Sequence, residues 1–435
     1  MKNLSIFLMA VCLALLLAQN IDAAETGAPA PVLSIQDCLK ISFDKNPELK
    51  TSYEQEMSAG ASLNMQRTNY NPNVNLSAAY GGNTSNTSGQ GIFVEKKYYS
   101  GLLSMQITVF DFGRTRYAVL AAKENLSAAH YDFLASVNKV ILGVKQAYLL
   151  VLGAQKLLEV AEETGKIQQA HLLQAQNFYR VGIRSKIEVT KAEVDLANAK
   201  LNLIKSKNVL ALARVQLNNS IGLGADSYPY KLDEGELNPG VQGDFGDVYA
   251  LALKNRPDYH RMTAQMKSLE AQLGKVRSNY NPSLTGSASY GKSGSGDNSS
   301  LSDSFGYGLN LSVPVFNQGL TPATFKKTVA DMKALGYQQD TLKNTIYKEV
   351  ESASLNVKES REKIEVLTEA LKQAKENYDL AQGRYNLGIG TSLEFQDALL
   401  SYTQAKSDLI QAQVQNGVDI AGLEYYTGIR VEGKN

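Results

Sequence analysis

The sequence has few of the residues that build disulfide, metal and redox sites. Its 435 residues include no tryptophan, two cysteines and three histidines. Two cysteines cannot form a disulfide framework, and scattered histidines cannot hold a metal ion without carboxylate ligands. The sequence also contains no nucleophile beside a base and no acid/base pair at a recognisable spacing. The composition therefore predicts a protein that is not an enzyme and that carries no cofactor.

The sequence also lacks an excess of charge of either sign. Its 44 basic residues nearly balance 43 acidic ones, which leaves a net charge of +1. Most proteins that bind nucleic acid rely on a strong positive potential, so this balance argues against a nucleic-acid partner. Apolar residues make up 43% of the chain, which is enough to bury a large core.

One long apolar run is present, and it lies at the N-terminus. Residues 6–18 are almost entirely apolar, follow Lys2 and precede a small-residue site at Ala23. This layout is typical of a secretory signal peptide, here residues 1–23. The run is shorter than the ~20 residues that a membrane-spanning helix needs, and no later stretch resembles one. The sequence therefore predicts an exported protein without a transmembrane helix.

The strongest signal in the chain is an internal duplication. The segment 69–72 recurs at 279–282, and Gly182-Ile183 recurs as Gly388-Ile389. The displacement is 210 residues before the predicted strands and 206 after them, so a polar loop between the strands has lost four residues. The duplication predicts two structural repeats, 24–222 and 246–435, joined by a connector at 223–245 that is rich in proline and glycine.

Each repeat contains two segments in which apolar residues alternate with uncharged polar ones. They predict strands at about 73–82, 102–112, 283–292 and 304–315. Such strands have the length and the one apolar face of strands that cross a membrane, although a soluble β-sandwich with one solvated face also alternates. Four strands are fewer than the ~8 of the smallest membrane barrel. Several chains must therefore contribute strands if these segments cross a bilayer.

Each repeat continues as a very long helical segment. A continuous helix over residues 114–181 would be roughly 100 Å long at about 1.5 Å per residue. In the segment after it, leucines recur every seven residues, as expected for helices that pack side by side. These leucines are Leu196, Leu203, Leu210 and Leu217. Helices of this length cannot bury their apolar stripes within one chain, so an assembly is implied.

The order of these elements, with the motifs Asn46-Pro47 and Arg256-Pro257, resembles the TolC-like outer membrane efflux protein (outer membrane factor) family. The similarity is greatest at two helical hairpin tips, 179–188 and 385–394. It implies a mainly α protein with a membrane β segment. In that arrangement a homotrimer completes a 12-stranded β-barrel in the lipid of the outer membrane and continues as a long periplasmic α-helical barrel.

The resemblance also implies a function and partners. It implies the exit duct of a tripartite efflux system, which passively conducts small molecules such as drugs, toxic compounds or metal ions. A periplasmic adaptor (membrane fusion) protein and an inner-membrane pump of the RND, ABC or MFS type would deliver them. The outer-membrane component of a type I protein secretion system is an alternative within the same fold. A periplasmic structural coiled-coil protein would explain the helices but not the four strands.

The resemblance assigns roles to particular residues at the hairpin tips. The residues expected to dock onto the adaptor are Val181, Gly182, Ile183, Leu387, Gly388 and Ile389. The acidic residues expected to form a periplasmic gate are Glu188, Glu394 and Asp397. Gly390 departs from the family pattern, in which a basic residue often links neighbouring helices, so no closed-state contact is expected from a side chain at that position.

Several of these residues also have a purely local interpretation. Ser185 with Glu188 and Thr391 with Glu394 have the spacing of capping boxes, in which the carboxylate satisfies a free N–H at a helix start. Both tip glycines are expected to need positive φ in either case. In the strands, Tyr80 and Tyr290 are expected to lie at the membrane interface, although tyrosine is also a common strand residue.

Overall fold

The computed structural model describes residues 31–86, 93–224, 230–233, 235, 248–296 and 301–428. The predicted signal peptide and most of the predicted connector lie outside these residues. The described part is mainly helical, with one four-stranded and one two-stranded sheet. Its helices are α1 (Ile35–Lys45), α2 (Pro47–Arg67), α3 (Arg114–Arg180), α4 (Lys186–Ser220), α5 (Val248–Asn255), α6 (Pro257–Ser278), α7 (Leu320–Asn386) and α8 (Ser392–Thr427); its strands are β1 (Val32–Leu33), β2 (Asn73–Asn86), β3 (Phe93–Phe110), β4 (Lys231–Leu232), β5 (Ser283–Ser295) and β6 (Ser302–Ser312).

The helical segment that opens each repeat is broken into two helices. The break falls at Asn46-Pro47 in the first repeat and at Arg256-Pro257 in the second. A residue before proline is pushed out of the helical region, and Asn46 and Arg256 both have extended ψ values near 120°. Each proline then occupies the first turn of the next helix, where its missing N–H costs nothing.

The large sheet is antiparallel throughout, with strand order β2-β3-β5-β6. Its register places the four apolar stripes on one face. Leu76 on β2 pairs with Leu103 on β3, which pairs with Tyr290 on β5, and Tyr290 pairs with Phe305 on β6. The opposite face carries mainly serine, asparagine, threonine and glutamine. The predicted alternation is therefore confirmed on all four strands.

The strand ends differ from those predicted. β2 ends at Asn86 and β3 begins at Phe93, so both strands extend beyond the apolar alternation. Backbone pairing in a hairpin does not require apolar side chains. β6 ends at Ser312 instead of 315, just before Pro314, which has no N–H to donate to a neighbouring strand.

The two helical hairpins are nearly identical in length. α3 and α7 each contain 67 residues and are followed by return helices of 35 and 36 residues. The predicted long helices are thus confirmed. α3 and α7 start after Gly113 and Gly319, whose φ values of +87° and +80° turn the chain out of the sheet.

Apolar packing fills the interior of the hairpins but leaves one stripe of α4 uncovered. Leu196 and Leu217 from the predicted heptad series are buried against the same chain. A second series on α4, including Ile187, Val194 and Leu201, is exposed. One helix, α3, contains a window of 18 residues apolar enough to span a membrane by composition, but 56% of that window is buried inside the molecule. α3 therefore has the burial of a core helix.

Candidate functional site: the hairpin tips

The two hairpin tips share one backbone turn. In the first tip Gly182 donates to the carbonyl of Tyr179, and Ile183 donates to the carbonyl of Phe178, at 3.0 and 2.9 Å. In the second tip Gly388 donates to Tyr385 and Ile389 to Arg384, at 3.0 and 3.1 Å. Both are Schellman motifs, which need a left-handed residue after the helix. Gly182 and Gly388 have φ values of +78° and +79°, as predicted.

The turns present apolar side chains to solvent. All four of the nonglycine residues predicted to dock onto an adaptor are exposed by 60% or more of their surface. They are Val181, Ile183, Leu387 and Ile389. Because each turn reverses the chain, these side chains lie at the outermost point of the hairpin. The arrangement gives each protomer two small apolar knobs.

The second tip contains the predicted capping box. Thr391 Oγ1 accepts from the N–H of Glu394 at 3.1 Å, and Glu394 Oε2 accepts from the N–H of Thr391 at 3.3 Å. Half of the Glu394 side chain remains exposed, and Asp397 is exposed one turn further along α8. The two carboxylates therefore lie close together on one exposed side of the helix while Glu394 also caps it.

The first tip does not form the matching capping box. The Ser185 side chain makes no cap hydrogen bond, so the capping interpretation of Ser185 and Glu188 is wrong. Glu188 instead lies 3.5 Å from the guanidinium of Arg184 and is four-fifths buried. The Glu188 carboxylate therefore pairs with Arg184 and does not cap the start of α4. Glu188 and Glu394 are equivalent in the duplication but have different partners.

Arg184 also connects the two tips. Its Nη2 atom donates to the carbonyl of Gly390 at 2.5 Å and to that of Gly388 at 3.3 Å. Close by, the Tyr385 hydroxyl is buried and has no hydrogen-bond partner among the described residues. Burial, and then the charge of Glu188, raise the pKa of Tyr385.

Above the tips, the hairpins meet along a seam of ion pairs and apolar contacts between α3 and α8. We call these contacts the inter-hairpin seam. Lys406 pairs with Glu163 at 2.5 Å, and Lys145 pairs with Glu424 nearer the sheet. These ion pairs join the two helices at two levels, in addition to the apolar contacts between them.

His171 lies in the inter-hairpin seam near the tips. Its ring stacks on Phe395 with centroids 4.7 Å apart. The amide nitrogen of Gln396 lies 3.2 Å from His171 Nδ1, so this ring nitrogen accepts a hydrogen bond. The other ring nitrogen of His171, Nε2, lies 3.5 Å from the Ser392 hydroxyl. Burial lowers the pKa of His171 to about 4, and the positive charge of Lys191 acts in the same direction. The imidazole is therefore neutral at neutral pH.

At the other end of the molecule, tyrosines close the apolar face of the sheet. Tyr80 and Tyr290 are the last aromatic residues of the apolar alternation on β2 and β5, as expected for interface residues. Immediately beyond Tyr290, Lys292 pairs with Asp303 at 3.4 Å on the same face. The side chains on this face thus change from apolar to charged between two successive positions, as expected at a boundary between hydrocarbon and lipid headgroups. The interface role of both tyrosines stays a prediction.

Arg184 and His171 were not among the residues predicted to be functional. Arg184 lies inside the segment singled out as the first tip, but its partners are backbone carbonyls 204 and 206 residues away. Its one available signal was the duplication, since Arg184 is the counterpart of the unusual Gly390. His171 had no comparable signal, because a single histidine in a long helix is indistinguishable from a surface residue.

Both repeats match the family model described as outer membrane efflux protein, at residues 40–223 and 248–428. The probable efflux pump outer membrane protein TtgC of Pseudomonas putida is 24% identical over 391 residues, covering 87% of this chain and 79% of TtgC. The outer membrane protein TolC of Escherichia coli is 22% identical, covering 85% and 76%. The structure of VceC from Vibrio cholerae superposes with a TM-score of 0.77 at 18% identity, covering 91% and 96%. The chain belongs to the outer membrane efflux protein family, as a channel protein that extends from the outer membrane into the periplasm and not as an enzyme.

Proposed function

We propose that three copies of this chain form a passive exit duct for small molecules. In this proposal each copy gives four strands to a 12-stranded barrel in the outer membrane, and the helical hairpins continue the duct through the periplasm. The observation that carries the proposal is the open sheet with one apolar face, joined directly to two helical hairpins of 67-residue helices.

The open sheet supports assembly in a membrane. Among the described residues, β2 and β6 each pair with a strand on one side only. In hydrocarbon, each unsatisfied backbone group costs several kcal/mol. Pairing β6 of one copy with β2 of the next satisfies both edges and closes the sheet.

The helices support the same assembly. An exposed apolar stripe follows α4, and further exposed apolar residues lie on α7. The members of the stripe are Ile187, Val194, Leu201, Ile204, Leu212 and Val215. A stripe of this length is covered most simply by a neighbouring copy, which would place α4 of one protomer against the next.

The tips support a gate at the periplasmic end. Glu394 and Asp397 are exposed and adjacent, so three copies would bring their carboxylates around one narrow opening. We assign these two residues to the gate ring. Glu188 belongs to the gate in a different sense, because its carboxylate is largely buried against Arg184.

The exposed knobs at the tips support docking of a partner. We propose that Val181, Gly182, Ile183, Leu387, Gly388 and Ile389 form the surface that contacts a periplasmic adaptor. An inner-membrane pump of the RND, ABC or MFS type would supply the energy. Efflux of small molecules is favoured over protein secretion because matched relatives such as TtgC are named as efflux pump outer membrane proteins.

The test is to purify the protein in mild detergent, measure its mass, and insert it into planar lipid bilayers. We expect a trimer with native strand content that gives discrete conductance steps. Leu201→Glu, which would place a charge in the proposed α4 interface, should reduce the yield of trimer, while the same change at exposed Lys200 should have much less effect. A monodisperse monomer with native strand content, or a trimer that conducts no ions, would contradict the proposal.

A further inference from the structure

The two copies differ at one decisive position of the tip turn. The displacement of 206 residues aligns Arg184 with Gly390. A Cβ atom on Gly390 would lie 2.9 Å from the backbone nitrogen of Tyr385 and 3.0 Å from the carbonyl carbon of Arg384. These are backbone atoms of the preceding helix and cannot move aside cheaply. The second turn therefore excludes a side chain at this position, and only the first tip presents one.

The side chain of Arg184 reaches its own counterpart in the other copy. Its Nη2 atom lies 2.5 Å from the oxygen of Gly390 and 3.3 Å from that of Gly388. Both carbonyls lie between the end of α7 and the N-cap Thr391, where they belong to neither helix. Only 19% of the Arg184 side chain is exposed, so water competes weakly for these hydrogen bonds.

Glu188 fixes the direction of the guanidinium. It lies in the first turn of α4, four residues after Arg184, with Oε1 3.5 Å from Nη1 of Arg184. Its charge balances the arginine, which leaves Nη2 free to donate to the second tip. Because the guanidinium is planar and donates in fixed directions, lysine cannot reproduce a contact to Glu188 and to two carbonyls together.

We propose that Arg184 and the carbonyls of Gly388 and Gly390 form an arginine clasp that holds the two hairpin tips of one protomer in the closed conformation. The proposal rests on the proposed function, since a clasp regulates conduction only if the tips close the duct. When the tips separate, both hydrogen bonds break. A hydrogen bond from a charged donor corresponds to about a 10- to 100-fold change in the ratio of closed to open protein.

The clasp is placed so that a docked partner can release it. Ile183 and Ile389 are exposed and immediately precede Arg184 and Gly390. A partner that binds both isoleucines in a separated arrangement must break the clasp and therefore binds the open conformation preferentially. By reciprocity, weakening the clasp should raise the affinity of such a partner by the same factor that it favours opening.

The experiment compares Arg184→Ala, Arg184→Lys and the matched control Arg180→Ala in planar bilayers. Arg180 lies at the same tip but is exposed, and within the described part of the chain its guanidinium donates to Asn177 of its own helix and not to the second tip. We expect Arg184→Ala to raise the ratio of open to closed channel at least 10-fold, Arg184→Lys to have an intermediate effect, and Arg180→Ala to match the wild type. Amide hydrogen exchange at residues 388–391 should rise in the same order.

Conduction and hydrogen exchange at the tips together distinguish a failure of the clasp from a failure of the proposed function. If wild-type trimers conduct but Arg184→Ala leaves both conduction and tip exchange unchanged, the clasp is wrong and the duct stands. If neither the wild type nor Arg184→Ala conducts while Arg184→Ala still raises tip exchange, the clasp contact exists and the proposed function fails. A drop in trimer melting temperature without any change in conduction would show a structural role only and would overturn the clasp. Should Arg184→Ala fail to assemble, Arg184→Lys decides by the same criteria.

Discussion

In the sheet, equivalent residues of the two copies lie on the same face. Leu103 and Leu309 are 206 residues apart and both lie on the apolar face, and Ser104 and Asn310 both lie on the polar face. A strand in a sheet has two faces, and alternation assigns every side chain to one of them. Duplicated strands in one sheet therefore repeat the face of each side chain together with their sequence, although β3 lies inside the sheet and its counterpart β6 lies at an edge.

At the hairpin tips the same duplication gives different surroundings. Tyr179 is 47% exposed, whereas its counterpart Tyr385 is 1% exposed. The tip turns have the same hydrogen bonds, so the backbone does not cause the difference. The cause is the neighbour: Tyr385 faces the inter-hairpin seam and Tyr179 does not. Duplication thus repeats conformation, while packing of one copy against the other decides which residues become functional.

The largest effect is expected from charges placed on the sheet. Leu103→Arg and Leu309→Arg should each cost about 2–4 kcal/mol, because each places a guanidinium against hydrocarbon near the middle of the apolar face. The measurement is the yield and urea stability of assembled protein in lipid vesicles. Equal losses in the two copies would support the symmetry of the sheet.

The neighbouring residues serve as controls for these charges. Ser104→Arg and Asn310→Arg point to the opposite face and should be tolerated far better. If all four variants lost the same amount of assembled protein, the assignment of the lipid face would be wrong.

His171 gives the next largest effect and should break the symmetry. Its counterpart in the second copy is the exposed Asn377. Because burial lowers the pKa of His171 from 6.5 to about 4, the separated or unfolded tip binds a proton more readily than the packed one. The contribution of neutral His171 to the stability of the packed tip is therefore complete above pH 6.5. It is lost as the pH falls through 6.5 and then 4, by a total on the order of 3 kcal/mol.

The acid response can be assigned by comparing two histidine variants. His171→Asn, which copies the second repeat, should remove most of the pH dependence of the tip protection factors between pH 7 and 4, where each exchange rate is corrected for the intrinsic rate at that pH. His130→Gln, at an exposed position on the same helix, should keep the wild-type profile. An unchanged acid response in His171→Asn would mean that other groups control the tips at low pH.

The fold was largely predictable because its signals are local or repeated. Alternation identified the strand faces, the heptad leucines identified packed helices, and the repeated tip glycines indicated left-handed turns. The breaks at Asn46-Pro47 and Arg256-Pro257 were also local, and the proline rule would have placed them. The extension of β2 and β3 was not predictable from apolar pattern, because the extra pairs carry polar side chains.

The contacts at the tips could not be predicted in the same way. The duplication makes the two tips look alike, and nothing in a periodic pattern states which flank of one hairpin faces the other. The bond from Arg184 to Gly390 depends on that choice, as do the burial of Tyr385 and the position of His171. Long-range packing between two similar hairpins decided all three.

A smaller effect is expected from the tip glycines, and here the symmetry should return. Gly182→Ala and Gly388→Ala meet no atoms within 4 Å, so each costs only the strain of a left-handed alanine, about 1–2 kcal/mol. Gly390→Ala should cost more, since its Cβ meets the backbone of α7. Amide hydrogen exchange at the tips measures the loss of local stability in each of the three variants. Unequal effects at Gly182 and Gly388 would show that the two turns are not energetically equivalent.

The smallest effect on stability, and the sharpest on conduction, is expected at the acidic residues. Glu394→Gln with Asp397→Asn removes the charge of the proposed gate ring but keeps an acceptor for the Thr391 N–H. Trimer melting should therefore stay unchanged, while preference for cations and block by Mg²⁺ should both weaken in planar bilayers. Glu188→Gln should act differently from its counterpart: it removes the countercharge of Arg184 and should change opening more than selectivity.

If Glu394 acts only as a cap, Glu394→Ala would cost about 0.5–2 kcal/mol and leave selectivity alone. Wild-type selectivity and Mg²⁺ block in the double variant would rule out the gate ring, because the cap is intact and only the charge has gone.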